Sequence, residues 1–179
     1  MLQCPTRLLG HNVDPAVCAA WLHDMSLPQD AFDWALNAVM VRSGGRKILI
    51  DAGLGLDPEL NLPRAGQVVK RLEAAGIDLG SVTDVVLTHM HMDHVGGLLV
   101  AGVKDRLRPD LRIHVAAAEA RFWEAPDFSR TAMPPAMQGV IQESARRFLS
   151  EYRDQLRLFE VECEVAPGVV VTRTGGHTP

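Results

Sequence analysis

Three histidines and one aspartate lie within the six residues from His89 to His94. Neutral imidazoles and carboxylates are the ligands that zinc and its neighbouring divalent metals prefer. Burying several such side chains without a partner would cost several kcal/mol, and metal coordination removes that cost. The residue types and their spacing therefore predict a metal site rather than four unrelated packing or surface residues.

An apolar run from Asp84 to Thr88 precedes these side chains and is typical of a buried strand. Residues two apart in an extended chain point to the same side, so we expect His89 and His91 to close on one metal ion. Asp93 and His94 come at a turn that the following Gly-Gly pair allows to be tight, and they are expected to point elsewhere. One short segment can thus supply two adjacent metal positions, which indicates a binuclear hydrolytic site.

Three segments resemble motifs of a known family. His89–His94 is similar to the His-x-His-x-Asp-His signature of the metallo-β-lactamase superfamily of metal-dependent hydrolases. Lys47–Leu54 resembles the family's strand that ends in Asp-x-Gly, and Thr174–Pro179 resembles the start of its Gly-His-Thr-Pro-Gly motif. The order and rough spacing of the three segments also fit. The resemblance covers about residues 36 to 179 and implies an α/β fold, the αββα sandwich.

The resemblance implies a role for each of these side chains. His89, His91 and His177 would hold the first metal ion. Asp93 and His94 would contribute to the second and take part in catalysis. A water or hydroxide bridging the two ions would be the nucleophile, since metal coordination lowers the pKa of water to about 7. Zinc is the expected metal for a histidine-rich site, and iron, manganese and cobalt suit similar ligands.

Two residues outside the ligand set are candidates for supporting it. Asp51 ends the apolar run Ile48–Ile50, and the resemblance implies a carboxylate that orients a ligand histidine. A turn or helix-capping aspartate is the alternative for this position. The hydroxyl of Thr88 is a further candidate support for the motif, although threonine is common at strand ends.

The wider sequence resembles one branch of the superfamily, which holds methyl parathion hydrolase-like enzymes and acyl-homoserine lactonases. The segments that carry this likeness are Leu56–Leu60, Leu72–Ile77 and the insert Phe122–Leu149. It implies hydrolysis of an ester, lactone or phosphotriester, with a small molecule as the substrate. The same site chemistry also suits thioesters of the glyoxalase II type, so that alternative stays open. A further alternative is metal binding without turnover, by a catalytically incomplete fragment or an assembly module.

The chain departs from the family pattern at its end. It stops at Pro179, within the third motif, whereas the family's domain continues for roughly another hundred residues. The resemblance implies that this further part supplies an aspartate bridging both metals and another histidine. We therefore expect residues 1–179 to be a single incomplete domain, about the N-terminal two-thirds of the sandwich. A fragment of a longer product is favoured, and a gene remnant or a homodimer whose chains complete each other are alternatives.

Sheet and helix signals are mixed along the chain without a hinge, which favours a layered α/β domain. A turn at Ser43–Gly45 joins the first two predicted strands. Residues 119–152 are expected to form a helical and loop insert near the active site, with 123–135 as a long loop that acts as a lid. Strands are predicted at 35–42, 46–52, 84–88, 112–116 and 168–173, and helices at 16–25, 64–75 and 135–152.

Composition excludes several classes of protein. Hydrophobic residues make up 47% and charged residues 22%, which is ordinary for a globular domain. The net charge is −4 and no Lys/Arg cluster is evident, so neither a nucleic-acid groove nor an anionic membrane surface is expected. Three cysteines without a CxxC pair argue against a disulfide framework, and a cytoplasmic location is predicted.

Overall fold

A computed structural model describes residues 2–5, 13–55, 65–131 and 133–178. The segment Leu56–Leu60 and the predicted helix start at Arg64 lie outside these residues. The elements in chain order are β1 (Leu2–Pro5), α1 (Pro15–Asp24), β2 (Ala31–Trp34), β3 (Val39–Ser43), β4 (Arg46–Ile50), α2 (Val68–Ala74), β5 (Asp84–Val86), α3 (Met92–Val95), α4 (Val103–Arg106), β6 (Arg112–Ala116), α5 (Ala117–Glu124), α6 (Pro135–Glu151), β7 (Leu156–Phe159), β8 (Glu162–Ala166) and β9 (Val169–Thr172). Short 3₁₀ helices lie at Leu79–Ser81, Gly96–Leu99 and Arg153–Gln155.

A five-stranded sheet in the order β3-β4-β5-β6-β7 forms the centre of the described chain. β3 pairs antiparallel with β4 across Gly44 and Gly45, whose φ angles of 53° and 77° suit a tight hairpin turn. β4, β5, β6 and β7 are parallel, so their carboxyl ends meet at one edge of the sheet. Because Ile50 pairs with Val86, the residues that follow β4 and β5 emerge side by side at that edge. The predicted metal motif begins there.

The central strands β4, β5 and β6 are largely buried on both faces of the sheet, as their apolar runs predict. Leu49 and Val85 face the layer that holds α2 to α6 and belong to the larger core cluster. Ile48 and Val86 face the antiparallel β8–β9 hairpin and pack against Val165. The α/β class predicted from the sequence is the architecture observed, with helices on one side of the main sheet and a β-hairpin on the other.

The predicted elements are present with shifted ends, and several others were not predicted. The strand expected at 84–88 ends at Val86, and the one expected at 35–42 begins at Val39. The loop expected at 123–135 is wrong at its start, because Trp123 is 3% exposed and lies in the last turn of α5. β1, β2, β7 and β8 were missed, since strands this short are defined by their pairing partners rather than by a local pattern.

None of the helices in the described part of the chain combines the length and the hydropathy that a bilayer crossing requires.

Candidate metal centre

The loop after β5 carries four of the five predicted ligands. His89 follows the strand, His91 has extended backbone angles (φ −65°, ψ 154°), and α3 then begins at Met92. Asp93 and His94 therefore lie in a short helix rather than in the tight turn expected from the sequence. A backbone hydrogen bond of 2.8 Å from Ala52 N to the carbonyl of His94 holds this helix against the end of β4.

The loop and the tail after β9 bring the predicted ligands into one cluster. The imidazole of His177 comes from 86 residues further along the chain, and its Nε2 lies 3.2 Å from Nδ1 of His91. Potential ligand atoms of His89, His91 and His177 lie within 4.8 Å of one another. The same holds for His89, Asp93 and His94.

His89 belongs to both groups, which differs from the expected division of the ligands. Its ring centroid is 3.9 Å from that of His94 and 4.5 Å from that of His91. The extended segment does place His89 and His91 together, as the two-residue spacing predicted. The helical turn then brings His94 back beside His89, a closeness that the linear spacing did not indicate.

Asp51 and Thr88 lie where β4 and β5 end, directly behind the candidate ligands. Nδ1 of His94 is 2.8 Å from Oδ2 of Asp51, and the backbone N–H of Thr88 donates to Oδ1 at 2.9 Å. The Thr88 hydroxyl donates to Oδ2 of Asp51 at 3.0 Å and lies 3.1 Å from Nδ1 of His89. Because the hydroxyl proton of Thr88 is used in the hydrogen bond to Asp51, the hydroxyl oxygen accepts from Nδ1–H of His89. The lone pair of the His89 ring is therefore at Nε2.

The donor atoms of this site fit a divalent metal ion. Nε2 of His89 is buried and has no hydrogen-bond partner within the described residues. Such a buried imidazole nitrogen costs free energy unless something binds it. The surrounding donors are imidazole nitrogens and one carboxylate, which are the ligands of zinc and related ions.

The pKa values of the cluster differ with the neighbours of each ring. Burial lowers the pKa of His89, and the imidazoles around it lower it further, to about 3. Burial and the ring of His177 also lower the pKa of His91. Burial lowers the pKa of His94 as well, but the carboxylates of Asp51 and Asp93 outweigh it and raise the value to about 9. His89 and His91 are therefore neutral at pH 7, the form in which an imidazole binds metal.

Comparison with known proteins agrees with the geometry of this centre. The family model of the Metallo-beta-lactamase superfamily matches residues 32–179. The chain belongs to this superfamily. The resemblance inferred from the three motifs is thereby confirmed at the level of the family.

Individual relatives of this superfamily chain have different activities. A hydroxyacylglutathione hydrolase of Bradyrhizobium sp. (strain ORS 278) is 42% identical over 59 residues, 33% of this chain and 21% of the relative. A ribonuclease Z of Mycobacterium avium (strain 104) is 34% identical over 61 residues, 34% of this chain and 18% of the relative. Each match spans about a third of this chain, and the two relatives carry different names.

The solved structure of AidC, described as a dizinc quorum-quenching lactonase in complex with its product, has the same fold. The TM-score is 0.77 at 21% identity, with 92% of this chain and 57% of AidC covered. The chain thus spans a little over half of the lactonase and about a fifth of each curated relative.

A cleft of about 570 Å³ in this superfamily chain opens onto the candidate ligands. Its lining combines the metal-binding side chains with a mostly apolar wall. That wall comes from the segment before β3, from α3 and from α6 with the residues that precede it, and its apolar members include Trp34, Leu36, Met92, Met133, Met137 and Ile141.

Glu119 and Trp123, both in α5, also lie beside the metal motif. Trp123 had been assigned to the predicted lid loop, whereas Glu119 was not predicted as a site residue. Glu119 accepts a hydrogen bond from the backbone N–H of Met90, between two candidate ligands. The only local signal was an acidic residue in the first turn of a helix, where acidic residues are common.

Proposed function

We propose that this superfamily member provides the metal-binding part of a hydrolase that acts on an ester, lactone or phosphotriester. The observation that carries the proposal is the convergence of His89, His91, Asp93, His94 and His177 into two overlapping groups of ligand atoms. A cluster of four imidazoles and a carboxylate is costly to assemble for packing alone. The family match supports hydrolytic chemistry for such a cluster.

Different residues of the chain would bind each of two metal ions, and zinc is the expected metal. His89, His91 and His177 would hold one ion, and Asp93 with His94 would hold the second, beside His89. When bound, such ions supply Lewis-acid chemistry, because they lower the pKa of water and polarise a carbonyl or phosphoryl oxygen. Asp51 would keep the proton on Nδ1 of His94, so that Nε2 faces the metal.

The cleft supports a small, partly apolar substrate. Its wall of methionine, tryptophan and aliphatic side chains suits a hydrocarbon group, while the ligands at its floor suit the scissile bond. Net charge −4 gives no support for a nucleic-acid substrate. The shared fold with a lactonase and the branch resemblance both favour the lactone within this group of substrates.

Metal content and turnover test the proposal together. Protein purified without chelator is expected to carry about two equivalents of divalent metal by elemental analysis, as binuclear sites do. His89→Ala should lose the ion that His89, His91 and His177 would hold, because Nε2 carries the one free lone pair of the ring, and should abolish hydrolysis. His23→Ala, in the exposed last turn of α1, is the matched control and should retain both. Absence of metal from the wild type would refute the proposal.

Thioester hydrolysis is the second candidate, favoured by the 42% identity to a hydroxyacylglutathione hydrolase over 59 residues. A panel of a lactone, a phosphotriester and a glutathione thioester separates the two. Faster hydrolysis of the thioester than of the other two would assign the enzyme to thioesters instead of esters, lactones or phosphotriesters. Metal binding without turnover on any of the three would instead indicate a binding module.

A further inference from the structure

A buried glutamate lies against the metal-motif loop without being part of either ligand group. Glu119 is 8% exposed, and its Oε1 accepts two hydrogen bonds from neutral donors. The backbone N–H of Met90 donates at 2.7 Å and the indole Nε1–H of Trp123 at 2.6 Å. These two hydrogen bonds satisfy the buried oxygen, which would otherwise cost free energy.

Both donors lead to the same candidate ligand. The N–H of Met90 belongs to the peptide that follows His89, one residue before His91, so the carboxylate fixes the backbone between the two ligands. The ring of Trp123 meets the ring of His91 edge to face, with centroids 5.7 Å apart and an interplanar angle of 76°. Glu119 thus restrains the backbone just before His91 and, through the indole of Trp123, the imidazole ring of His91.

We propose that Glu119 is a positioning residue for the first metal group. By holding the Met90 peptide and the Trp123 indole together, it sets the place and tilt of the His91 imidazole. This inference rests on the proposed metal site. Outer residues that orient ligands commonly change metal affinity by roughly 10–100-fold when removed. Since the role is that of a hydrogen-bond acceptor, the amide oxygen of glutamine is expected to fulfil it.

Cobalt(II) substitution tests the role without relying on turnover. Its visible absorption spectrum reports coordination geometry, and titration reports affinity. Glu119→Ala is expected to bind cobalt roughly 10–100-fold more weakly, with an altered spectrum. Glu119→Gln should restore both to near wild type. Glu124→Ala, at an exposed glutamate of the same helix, is the matched control and should change neither.

Each outcome decides the inference. If Glu119→Ala does not fold, judged by circular dichroism of the metal-free protein, Trp123→Phe takes its place, because it keeps an aromatic ring and removes the N–H donor. An unchanged spectrum and affinity in the variant that folds would overturn the role. So would a Gln variant as weak as the Ala variant. If the wild type takes up no cobalt, the proposed function itself fails, which is a distinct result.

Discussion

At the scale of single residues, Asp51 shows how one side chain organises several others. It accepts hydrogen bonds from the backbone and hydroxyl of Thr88 and from Nδ1–H of His94. Its φ of 55° lies in the left-handed region, which aspartate tolerates better than most residues. The backbone conformation turns the chain away from β4 just where the carboxylate is needed.

Removing the charge of Asp51 should weaken metal binding at the group that contains His94. Asp51→Asn keeps the size of the side chain and suits the positive φ, but no longer stabilises the orientation of the imidazole by its charge. We expect zinc affinity for one of two ions to fall by roughly 10–100-fold, measured by competition with a chelator. Asp105→Asn, at an exposed aspartate of α4, is the control. Equal zinc affinity in the two variants would contradict the assigned role.

At the scale of elements, the metal loop is positioned by close approach of two backbones. The 3₁₀ helix Gly96–Leu99 lies against the segment after β4, and Gly97 N donates to the carbonyl of Gly53 at 2.9 Å. A Cβ atom at Gly97 would stand 1.9 Å from the carbonyl oxygen of Ala52, which is backbone and cannot move aside. The glycine pair that the sequence assigned to a tight turn serves instead to admit this contact.

A methyl group at Gly97 is therefore expected to destabilise the fold. Gly97→Ala should lower the free energy of unfolding by about 1–3 kcal/mol or more, as overpacking does, in urea denaturation. A Cβ at Gly139, in the second turn of α6, meets no atom within 4 Å, so Gly139→Ala should raise the free energy of unfolding by about 0.5–1 kcal/mol. Similar stability of the two variants would show that the loop adapts to the added atom.

At the scale of the whole molecule, the two ends of the sheet have different chemistry. The candidate metal centre lies at the carboxyl ends of the parallel strands, and a buried ion cluster lies at their amino ends. Asp84, at the start of β5, is 0% exposed and pairs with Arg46 of β4. It also accepts from Thr83 at 2.7 Å and lies 2.8 Å from Nε2 of His114 in β6. The carboxylate of Asp84 thereby links the neighbouring strands β4, β5 and β6.

This cluster predicts a loss of stability in acid. Burial raises the pKa of Asp84, but the hydrogen bonds from Arg46, Thr83 and His114 outweigh it and lower the net value below the ordinary one. A carboxyl group with a lowered folded-state pKa contributes stability above its unfolded pKa of about 3.9, and this is lost as pH falls through the folded value. Arg112, 3.4 Å away, remains charged throughout this range.

Unfolding experiments between neutral pH and pH 3 measure this contribution. The free energy of unfolding of the wild type should fall as the pH drops below about 4. That of Asp84→Asn should be lower at neutral pH and should depend less on pH in the acid range. Asp110→Asn, at a surface ion pair with Arg108, is the control, because exposed ion pairs contribute little to stability. A wild-type curve parallel to that of Asp84→Asn would exclude a role for the buried pair.

Local sequence patterns determined the parts of this protein that depend on near neighbours. The apolar runs of β4, β5 and β6 predict strands because both sheet faces are buried, and the residues from His89 to His94 predict a metal motif because their side chains are adjacent in the chain. The motifs, together with the family match, establish the superfamily. Roles for the individual candidate ligands remain predictions that the experiments above test.

Only the tertiary structure decided how distant groups meet, although the resemblance already implied that His177 shares a ligand set with His91. The position of His177 beside His91 depends on the path of β8 and β9, and the place of Glu119 beneath Met90 depends on how α5 packs against the core. His89 belongs to two ligand groups because the short helix α3 brings His94 back beside it. The position of α3 is set by its packing against the end of β4. Contacts between residues far apart in sequence arise from the fit of whole elements, and no local pattern of residues contains that information.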